Sequence, residues 1–310
     1  MHNHAGHTHD TSQLGDGRLV WAIVLNLLLS VVEVVVGVIS GSLSLIADAA
    51  HNFNDCMSLV VTLVARKISR KEADEHRTFG YRRAEVIGAF LNLILLAIIG
   101  LYLIYEAVHR YFNPQEVHGW PMIIAASVAL AVDVATVLFL FAMRKGNINL
   151  RAGFLHKVAD ALASVAVIVG GIFILLKGWQ IVDLLVTIVL AIYILYHSLV
   201  LLKPTVAILM ESVPADVNLE ELAAEIPSID GVQEIHHIHI WELDEHHRAL
   251  EAHIVIDADD VQEMETIKRE IKKRLQHQYA IQHSTLEFEF AGVSCHIADH
   301  MNCHGDDKQV

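Results

Sequence analysis

Cysteine is scarce in this chain of 310 residues, which contains only Cys56, Cys295 and Cys303. Three cysteines are too few for a disulfide framework. The sequence also lacks a glycine-rich phosphate-binding loop, which argues against ATP-driven pumping. No nucleophile motif accompanies its histidines and carboxylates. These absences exclude a disulfide scaffold and disfavour a nucleotide-dependent machine.

Basic residues are rare in the C-terminal third. Residues 205–310 hold seven Lys/Arg against twenty-two Asp/Glu, whereas residues 1–204 hold fifteen against fourteen. Almost all of the net charge of −14 therefore lies in the C-terminal part. Because an acidic domain repels phosphate groups, we expect no nucleic-acid partner.

Hydrophobic residues, in contrast, make up 54% of the chain, and the mean hydropathy is +0.44. Six stretches of about 20 mostly uncharged residues have the length that crosses a bilayer. We therefore expect an α-helical membrane protein with six transmembrane helices, followed after Pro204 by a small cytoplasmic α+β domain. The six stretches are Leu19 to Ile39, Leu43 to Ala65, Val86 to Val108, Pro121 to Met143, Phe154 to Leu176 and Gln180 to Leu202.

The same patterns divide the chain into four parts. Residues 1–17 form a histidine-rich arm, 18–204 the transmembrane domain, 205–291 the α+β metal-binding domain and 292–310 a tail with cysteine and histidine. Clustered histidines of low structural order are typical of metal binding. Whether the arm binds metal through His2, His4, His7 and His9 stays open.

Two connections carry most basic residues of the membrane part. The positive-inside rule places these connections, both chain ends and the acidic domain in the cytoplasm, since the opposite loops hold only Arg110 and Lys177. Compact loops without a long histidine-rich insertion favour a bacterial inner membrane over an organelle. The basic residues are Arg66, Lys67, Arg70, Lys71, Arg77, Arg82 and Arg83 between spans two and three, and Arg144, Lys145, Arg151 and Lys157 between spans four and five.

The second and fifth spans each contain a histidine and an aspartate four residues apart, His51 with Asp55 and His156 with Asp160. Residues at this spacing project from one helix face. Two such helices side by side offer two imidazoles and two carboxylates, a set that suits tetrahedral Zn²⁺, with Cd²⁺, Co²⁺ or Fe²⁺ as alternatives. A carboxylate at membrane depth is costly without a partner, so a metal site is favoured over a packing role.

The remaining polar residues of the spans are better explained by helix packing or hydration. They are Asn26, Glu33, Asp48, Asn92, Asp133 and Asp183.

A histidine must be neutral to bind metal, so metal and protons compete for such a site. This mutual exclusion is the minimum requirement for exchange of metal against protons, and an inward proton gradient would then drive metal export.

Four sequence features occur together: the two His-x-x-x-Asp pairs, the Ser-Leu-Ser-Leu-Ile-Ala-Asp-Ala-Ala-His run at 42–51, Phe79-Gly-Tyr-Arg-Arg-Ala-Glu85, and His236-His-Ile-His-Ile-Trp241. Together they resemble the cation diffusion facilitator family, in particular its zinc-exporting branch of bacterial and animal transporters. The resemblance covers nearly the whole chain. It implies a homodimeric Zn²⁺/proton antiporter that works by alternating access and has a metallochaperone-like tail domain.

The tail domain is predicted as helix, strand, strand, helix, strand. Strict alternation along the first strand places Ile235 on the face of His237, His239 and Trp241, opposite His236, Ile238 and Ile240. The predicted elements are a helix from Val217 to Ile226 capped by Asp216, strands Gln233 to Leu243 and Ala249 to Ile256, a helix from Asp260 to His277, and a strand from Ile281 to Phe290.

The resemblance further implies a cytoplasmic zinc site that stabilises the dimer, with ligands His236, His253, His283 and Glu289; Glu287 is a rival to Glu289. We also expect Cys295 and Cys303 to bind metal, because thiols in the cytoplasm stay reduced. Arg83 and Glu211 match positions at which some family members make a charge pair.

Two other functions remain open from the residues alone. One is a membrane metal sensor that signals through its cytoplasmic domain. The other is a membrane metalloenzyme, which is disfavoured because four protein ligands leave no coordination position for an activated water.

Overall fold

The structure is a computed structural model that describes the backbone of residues 16–143, 148–258 and 260–290, and their side chains except those of 16–23, 25, 62, 66, 139–143 and 148–153. The chain forms two compact units. One consists of residues 1–67 and 88–203, and the other of residues 68–87 and 204–310.

In the part of the chain that the structure describes, six long helices precede the tail domain. Among the described residues, four helical stretches are long and apolar enough to cross a membrane: Arg83–Phe112, Gly119–Leu138, Phe154–Lys177 and Ile181–Leu209. The second helix is not among them because its sequence is interrupted by polar residues, several of them buried. The six helices are α1 (Asp16–Ser40), α2 (Leu43–Ser69), α3 (Arg83–Phe112), α4 (Gly119–Met143), α5 (Ile148–Lys177) and α6 (Ile181–Leu209).

Helices α4 and α5 approach each other closely through glycine. A methyl group added at Gly171 of α5 would lie 2.6 Å from the Ile123 side chain of α4, and one added at Gly119 would lie 2.8 Å from the Gly171 carbonyl oxygen. Small residues of this kind allow helix backbones to pack tightly in a membrane. The contact holds α5 in place, and with it the histidine and aspartate of its N-terminal half.

Helix α2 is capped by a residue from another helix. The buried Asp183 of α6 accepts hydrogen bonds from the Ser42 hydroxyl (2.7 Å), the Leu43 amide (2.8 Å) and both the amide (3.2 Å) and hydroxyl (2.6 Å) of Ser44. The first amides of a helix have no partner within the helix, and a carboxylate there interacts favourably with the helix dipole. Asp183 thus connects α6 to the start of α2.

The tail domain has the predicted order, and each element's ends lie within two residues of the prediction. The sheet has the order β1-β2-β3, with β1 antiparallel to β2 and β3 parallel to β2. One hydrophobic cluster joins the strands to both helices. The elements are α7 (Leu219–Glu225) with a 3₁₀ turn at Ile226–Ser228, β1 (Val232–Asp244), β2 (His247–Ile256), α8 (Val261–Tyr279) and β3 (Ile281–Phe290).

The predicted cap of α7 was wrong. Asn218, not Asp216, caps the helix, because its side chain accepts from the amides of Glu220 and Glu221. Asp216 instead binds Arg248, with its Oδ1 at 2.7 Å from Nη2. The Asp216 carboxylate therefore pairs with Arg248 of β2 and does not cap the helix.

Strict alternation in β1 was also wrong. His237 has a positive φ of 49°, and the register against β2 shifts between His236 and His239. Such a bulge adds one residue to a strand, so the residues after it face the opposite side from the one that alternation assigns. Ile235 consequently belongs to the same core cluster as Ile238 and Ile240, although alternation placed it on the opposite face.

Candidate metal sites

The structure brings the histidine and aspartate of α2 together with those of α5. One ligand atom from each of His51, Asp55, His156 and Asp160 lies within 4.8 Å of the other three. The closest contacts run between the helices. His156 Nε2 is 2.8 Å from Asp55 Oδ2, and His51 Nε2 is 3.3 Å from Asp160 Oδ1. Each histidine therefore faces the aspartate of the other helix.

Distances within this group fit a small tetrahedral ion. The two pairs within one helix are longer, at 4.0 Å for His51 with Asp55 and 3.8 Å for His156 with Asp160. Zinc bonds of about 2.0–2.2 Å in tetrahedral geometry require ligand atoms roughly 3.3–3.6 Å apart. One of the four distances is shorter than this range, one lies within it and two are longer, so small side-chain movements would complete the geometry.

The group is more accessible on one side than on the other. The side chains of His51 and Asp160 are 10% and 1% exposed, whereas those of Asp55 and His156 are 27% and 33% exposed. Asp55 and His156 are thus the more exposed members of the group.

Lys157 was predicted in the basic connection between spans four and five, and this prediction was wrong. The residue lies in α5, and its ammonium is 2.7 Å from Asp160 Oδ2 and 3.5 Å from Asp133 Oδ1 on α4. Its side chain is only 16% exposed. Lys157 was counted as loop charge although it already lay inside the predicted fifth span, Phe154 to Leu176. A signal was present, since Lys157 lies three residues before Asp160, a spacing that places the two side chains on one helix face.

Other polar residues of the helices form hydrogen bonds between helices, as expected for a packing role. Asn52 Nδ2 donates to Glu33 Oε2 at 3.3 Å, and the Ser164 hydroxyl donates to Asp48 Oδ2 at 3.2 Å. Interhelical hydrogen bonds of this kind hold membrane helices together. The contact with Glu33 gives Asn52 a packing role beside the candidate ligands.

A second group lies in the tail domain, where the three strands contribute one residue each. Ligand atoms of His236, His253 and Glu289 lie within 4.8 Å of one another. His253 Nδ1 is 2.7 Å from Glu289 Oε1, and His236 Nε2 is 3.6 Å from the same oxygen. The two histidines are direct cross-strand partners in the register of β1 and β2. Neighbouring strands thus assemble the group.

The structure distinguishes Glu289 from Glu287. Glu289 contacts both histidines, whereas Glu287 contacts only His253, at 3.4 Å from Nε2. The Glu287 side chain is also 65% exposed, against 16% for Glu289. Glu289 is therefore the carboxylate that can share an ion with both imidazoles.

His283 is separated from this group. It lies six residues before Glu289 on the same strand, which corresponds to about 20 Å at a rise of about 3.3 Å per residue. Its ring instead packs edge-on against Phe79, with centroids 5.3 Å apart. The expectation that His283 and Glu289 bind one ion overlooked this distance. The other expected tail ligands, Cys295 and Cys303, lie outside the described residues.

Arg83 and Glu211 form the predicted charge pair, with Nη2 at 2.6 Å from Oε1. Their side chains are 37% and 57% exposed. An exposed pair contributes at most about 1 kcal/mol. The ion pair therefore contributes little to the stability of the unit that contains both residues.

The architecture is that of a helical membrane protein with an acidic α+β tail domain and two groups of side chains that could hold a metal ion. Comparison with known families agrees. Residues 19–210 match the cation efflux transmembrane domain, and residues 214–290 match the cation efflux protein cytoplasmic domain. The chain belongs to the cation efflux family, which is the cation diffusion facilitator family indicated by its motifs. It is a multi-pass membrane transporter of metal cations and not an enzyme.

Several curated relatives are similar along nearly their whole length. The metal cation efflux system protein CzcD of Cupriavidus metallidurans is 35% identical over 95% of this chain and 92% of its own. The cadmium, cobalt and zinc/H⁺-K⁺ antiporter of Bacillus subtilis is 34% identical over 92% of each chain. The zinc transporter ZitB of Yersinia pestis is 34% identical over 88% of this chain and 87% of its own.

Proposed function

We propose that this protein exports Zn²⁺ from the cytoplasm in exchange for protons, at an intramembrane site formed by His51, Asp55, His156 and Asp160. The observation that carries the proposal is the crosswise pairing of the two helices, 2.8 Å from His156 to Asp55 and 3.3 Å from His51 to Asp160. Four ligands from two helices surround one point. Movement of α2 relative to α5 would separate these ligands and release the ion.

Zinc is the proposed cargo because of the ligand set. Two imidazole nitrogens and two carboxylate oxygens suit Zn²⁺, which accepts tetrahedral geometry without cost. Cd²⁺, Co²⁺ and Fe²⁺ remain competitors, since affinity order alone does not select among such ions. The names of the relatives support this range: one is a zinc transporter, and another is an antiporter of cadmium, cobalt and zinc.

Protons are the proposed counter-ion. His51 and His156 bind metal only when Nε2 is unprotonated, so each proton that arrives at the group weakens metal binding. In the structure these same Nε2 atoms face carboxylate oxygens, at 3.3 Å for His51 and 2.8 Å for His156. The group can therefore hold either the metal or protons. The Bacillus subtilis relative is named a cadmium, cobalt and zinc/H⁺-K⁺ antiporter, which supports exchange of metal against protons.

The proposed topology has six spans with both termini in the cytoplasm of a bacterium and the protein in the inner membrane. Helices α1 and α2 would add two spans to the four that satisfy length and hydropathy. The orientation depends on the basic residues between α2 and α3 and on Arg144, Lys145 and Arg151 between spans four and five. Lys157 is no longer counted with them. The domain limits of 1–17, 18–204, 205–291 and 292–310 belong to this proposal.

In the tail domain we propose that His236, His253 and Glu289 bind Zn²⁺ in the cytoplasm and stabilise a homodimer. Three ligands leave one of the four usual zinc positions for a further group. Cys295 and Cys303 are proposed as a separate tail site. The match to the family's cytoplasmic domain supports a role in assembly.

The test is metal uptake into inside-out vesicles, with Zn²⁺, Cd²⁺, Co²⁺ and Fe²⁺ compared with and without a pH gradient. We expect uptake of Zn²⁺ to require the gradient and to be accompanied by proton movement out of the vesicle, followed with a pH dye. Metal flux without opposing proton movement would refute the exchange. Intact metal tolerance in cells that carry Asp160→Ala would favour a sensor over a transporter.

A further inference from the structure

Lys157 connects the proposed transport site to a carboxylate outside it. Its ammonium is 2.7 Å from Oδ2 of Asp160, a proposed ligand, and 3.5 Å from Oδ1 of Asp133 on α4. Both carboxylates are deeply buried, with side chains 1% and 2% exposed. The ammonium therefore lies between two acceptors that are shielded from solvent.

Asp133 has unused acceptor capacity. Among the described residues its Oδ2 has no hydrogen-bond partner, and its Oδ1 has only the longer contact with Lys157. A buried carboxylate with so few partners is unfavourable. Asp133 is thus an acceptor that a small movement of the lysine would satisfy.

Metal binding would drive the Lys157 ammonium away from Asp160 by charge repulsion. A divalent ion held by Asp160 brings two positive charges next to the ammonium, and like charges repel strongly in a shielded site. Lysine has a flexible stem and three rotatable donors, so it can change partner without a backbone shift. After the change, the metal with Asp55 and Asp160, and Lys157 with Asp133, leave no charge unbalanced among these groups.

We propose that Lys157 is a tethered cation that shares Asp160 with the transported metal. It neutralises Asp160 in the empty site and moves to Asp133 when metal binds. Lys157 is a positioning residue, since it does not ligate the metal but limits how tightly the site holds it. This inference rests on the proposed function of the four ligands, because the lysine can compete only with an ion that Asp160 binds.

The test measures Zn²⁺ affinity of the full-length protein in detergent by competition with a fluorescent chelator. The intramembrane site is taken as the binding that Asp160→Ala removes. Lys157→Met keeps the length of the side chain and removes its charge, and we expect binding about tenfold tighter or more. Asp133→Asn removes the alternative partner, and we expect binding about tenfold weaker. The two variants should thus act in opposite directions.

Two further variants separate this proposal from a purely structural role. In the Lys157→Met background, Asp133→Asn should have no further effect, because Asp133 acts through the lysine. Lys157→Arg keeps the charge and should bind Zn²⁺ within about threefold of the wild type, a difference of well under 1.4 kcal/mol. Vesicle transport by Lys157→Met should become slower at saturating Zn²⁺, because release is delayed.

Some results would overturn the proposal. If Lys157→Met and Asp133→Asn both weaken binding and their effects add, the two residues only support the fold. A thermal melt of Lys157→Gln serves as a second check on folding. If Asp160→Ala removes no binding, the transport-site assignment fails first, and the proposal for Lys157 fails with it. If Asp160→Ala removes binding but Lys157→Met leaves affinity unchanged, only the tethered-cation proposal fails.

Discussion

The intramembrane group and the tail group use the same kinds of side chain but obtain them differently. Two helices provide two ligands each in the membrane unit, whereas three strands provide one each in the tail domain. Helical i,i+4 spacing fixes two ligands together, so two helices suffice for a complete tetrahedral set. A strand places successive residues of one face almost 7 Å apart and rarely gives two ligands to one ion.

The two groups also differ in how their charge is balanced. In the membrane unit, the ammonium of Lys157 lies 2.7 Å from the buried carboxylate of Asp160 and balances its charge. In the tail domain the group belongs to a part of the chain with twenty-two acidic and seven basic residues. The acidic excess of the tail attracts cations, whereas on the proposal above a metal ion that binds the intramembrane group has to displace the Lys157 ammonium from Asp160. On that proposal the tail arrangement favours capture, and the membrane arrangement favours release.

The largest expected effect comes from removal of one intramembrane ligand. Asp160→Asn keeps the shape of the side chain and removes its charge. We expect vesicle uptake of Zn²⁺ to fall at least about 100-fold, which corresponds to roughly 2.7 kcal/mol. His109→Ala, which changes a histidine near the end of α3, should transport normally. Unchanged uptake by Asp160→Asn would refute the intramembrane site, and Zn²⁺ binding by the tail should persist in either case.

Loss of the cap on α2 should destabilise the membrane unit without affecting the tail domain. Asp183→Ala leaves the amides of Leu43 and Ser44 without their acceptor, and buried unpaired donors cost about 1–3 kcal/mol each. We expect a clearly lower melting temperature in detergent. Asp183→Asn retains an acceptor and should have an intermediate effect. Equal melting temperatures for Asp183→Ala and the wild type would contradict the capping role.

The two tail glutamates offer a matched pair of variants. In an Asp160→Ala background, which isolates binding outside the membrane site, Glu289→Gln should weaken Zn²⁺ binding about tenfold or more. Glu287→Gln should change it by less than about threefold, because Glu287 is exposed and contacts only one histidine. The opposite ranking would make Glu287 the ligand. His277→Ala, at an exposed position of α8, is the control for loss of a histidine.

The smallest expected effect concerns the exposed pair of Arg83 and Glu211. Arg83→Glu or Glu211→Arg should lower stability by no more than about 1 kcal/mol, and the effect should weaken with added salt. The double reversal should restore most of the loss, as judged by thermal unfolding. Failure of the double variant to recover either single change would show that the pair does not interact in solution.

Local periodicity explains what the sequence could predict. His51 and Asp55 share a helix face because of a spacing within one turn, so they are recognisable without knowledge of neighbouring helices. The tail elements were predicted to within two residues because the hydrophobic pattern that marks each helix or strand is also local, even where the cap of α7 and the alternation along β1 were misjudged. The pairing between α2 and α5 followed from matching motifs on both helices.

Features that depend on long-range contacts were missed. The bulge at His237 has no local sequence signal, and it alters which residues of β1 face the core. His283 was grouped with Glu289 although the strand separates them. The contact of Lys157 with Asp133 lies between helices and has no local signal, whereas its spacing from Asp160 was a local signal that was not used. The cap of α7 was misassigned because Arg248 engages Asp216.

The carboxylate of Asp183 has a mechanical consequence. Four hydrogen bonds join it to the first residues of α2, the helix that carries His51 and Asp55. Any rearrangement that withdraws these ligands from α5 must either carry α6 along or break those bonds together. We therefore expect α2 and α6 to move together as one rigid pair relative to α5.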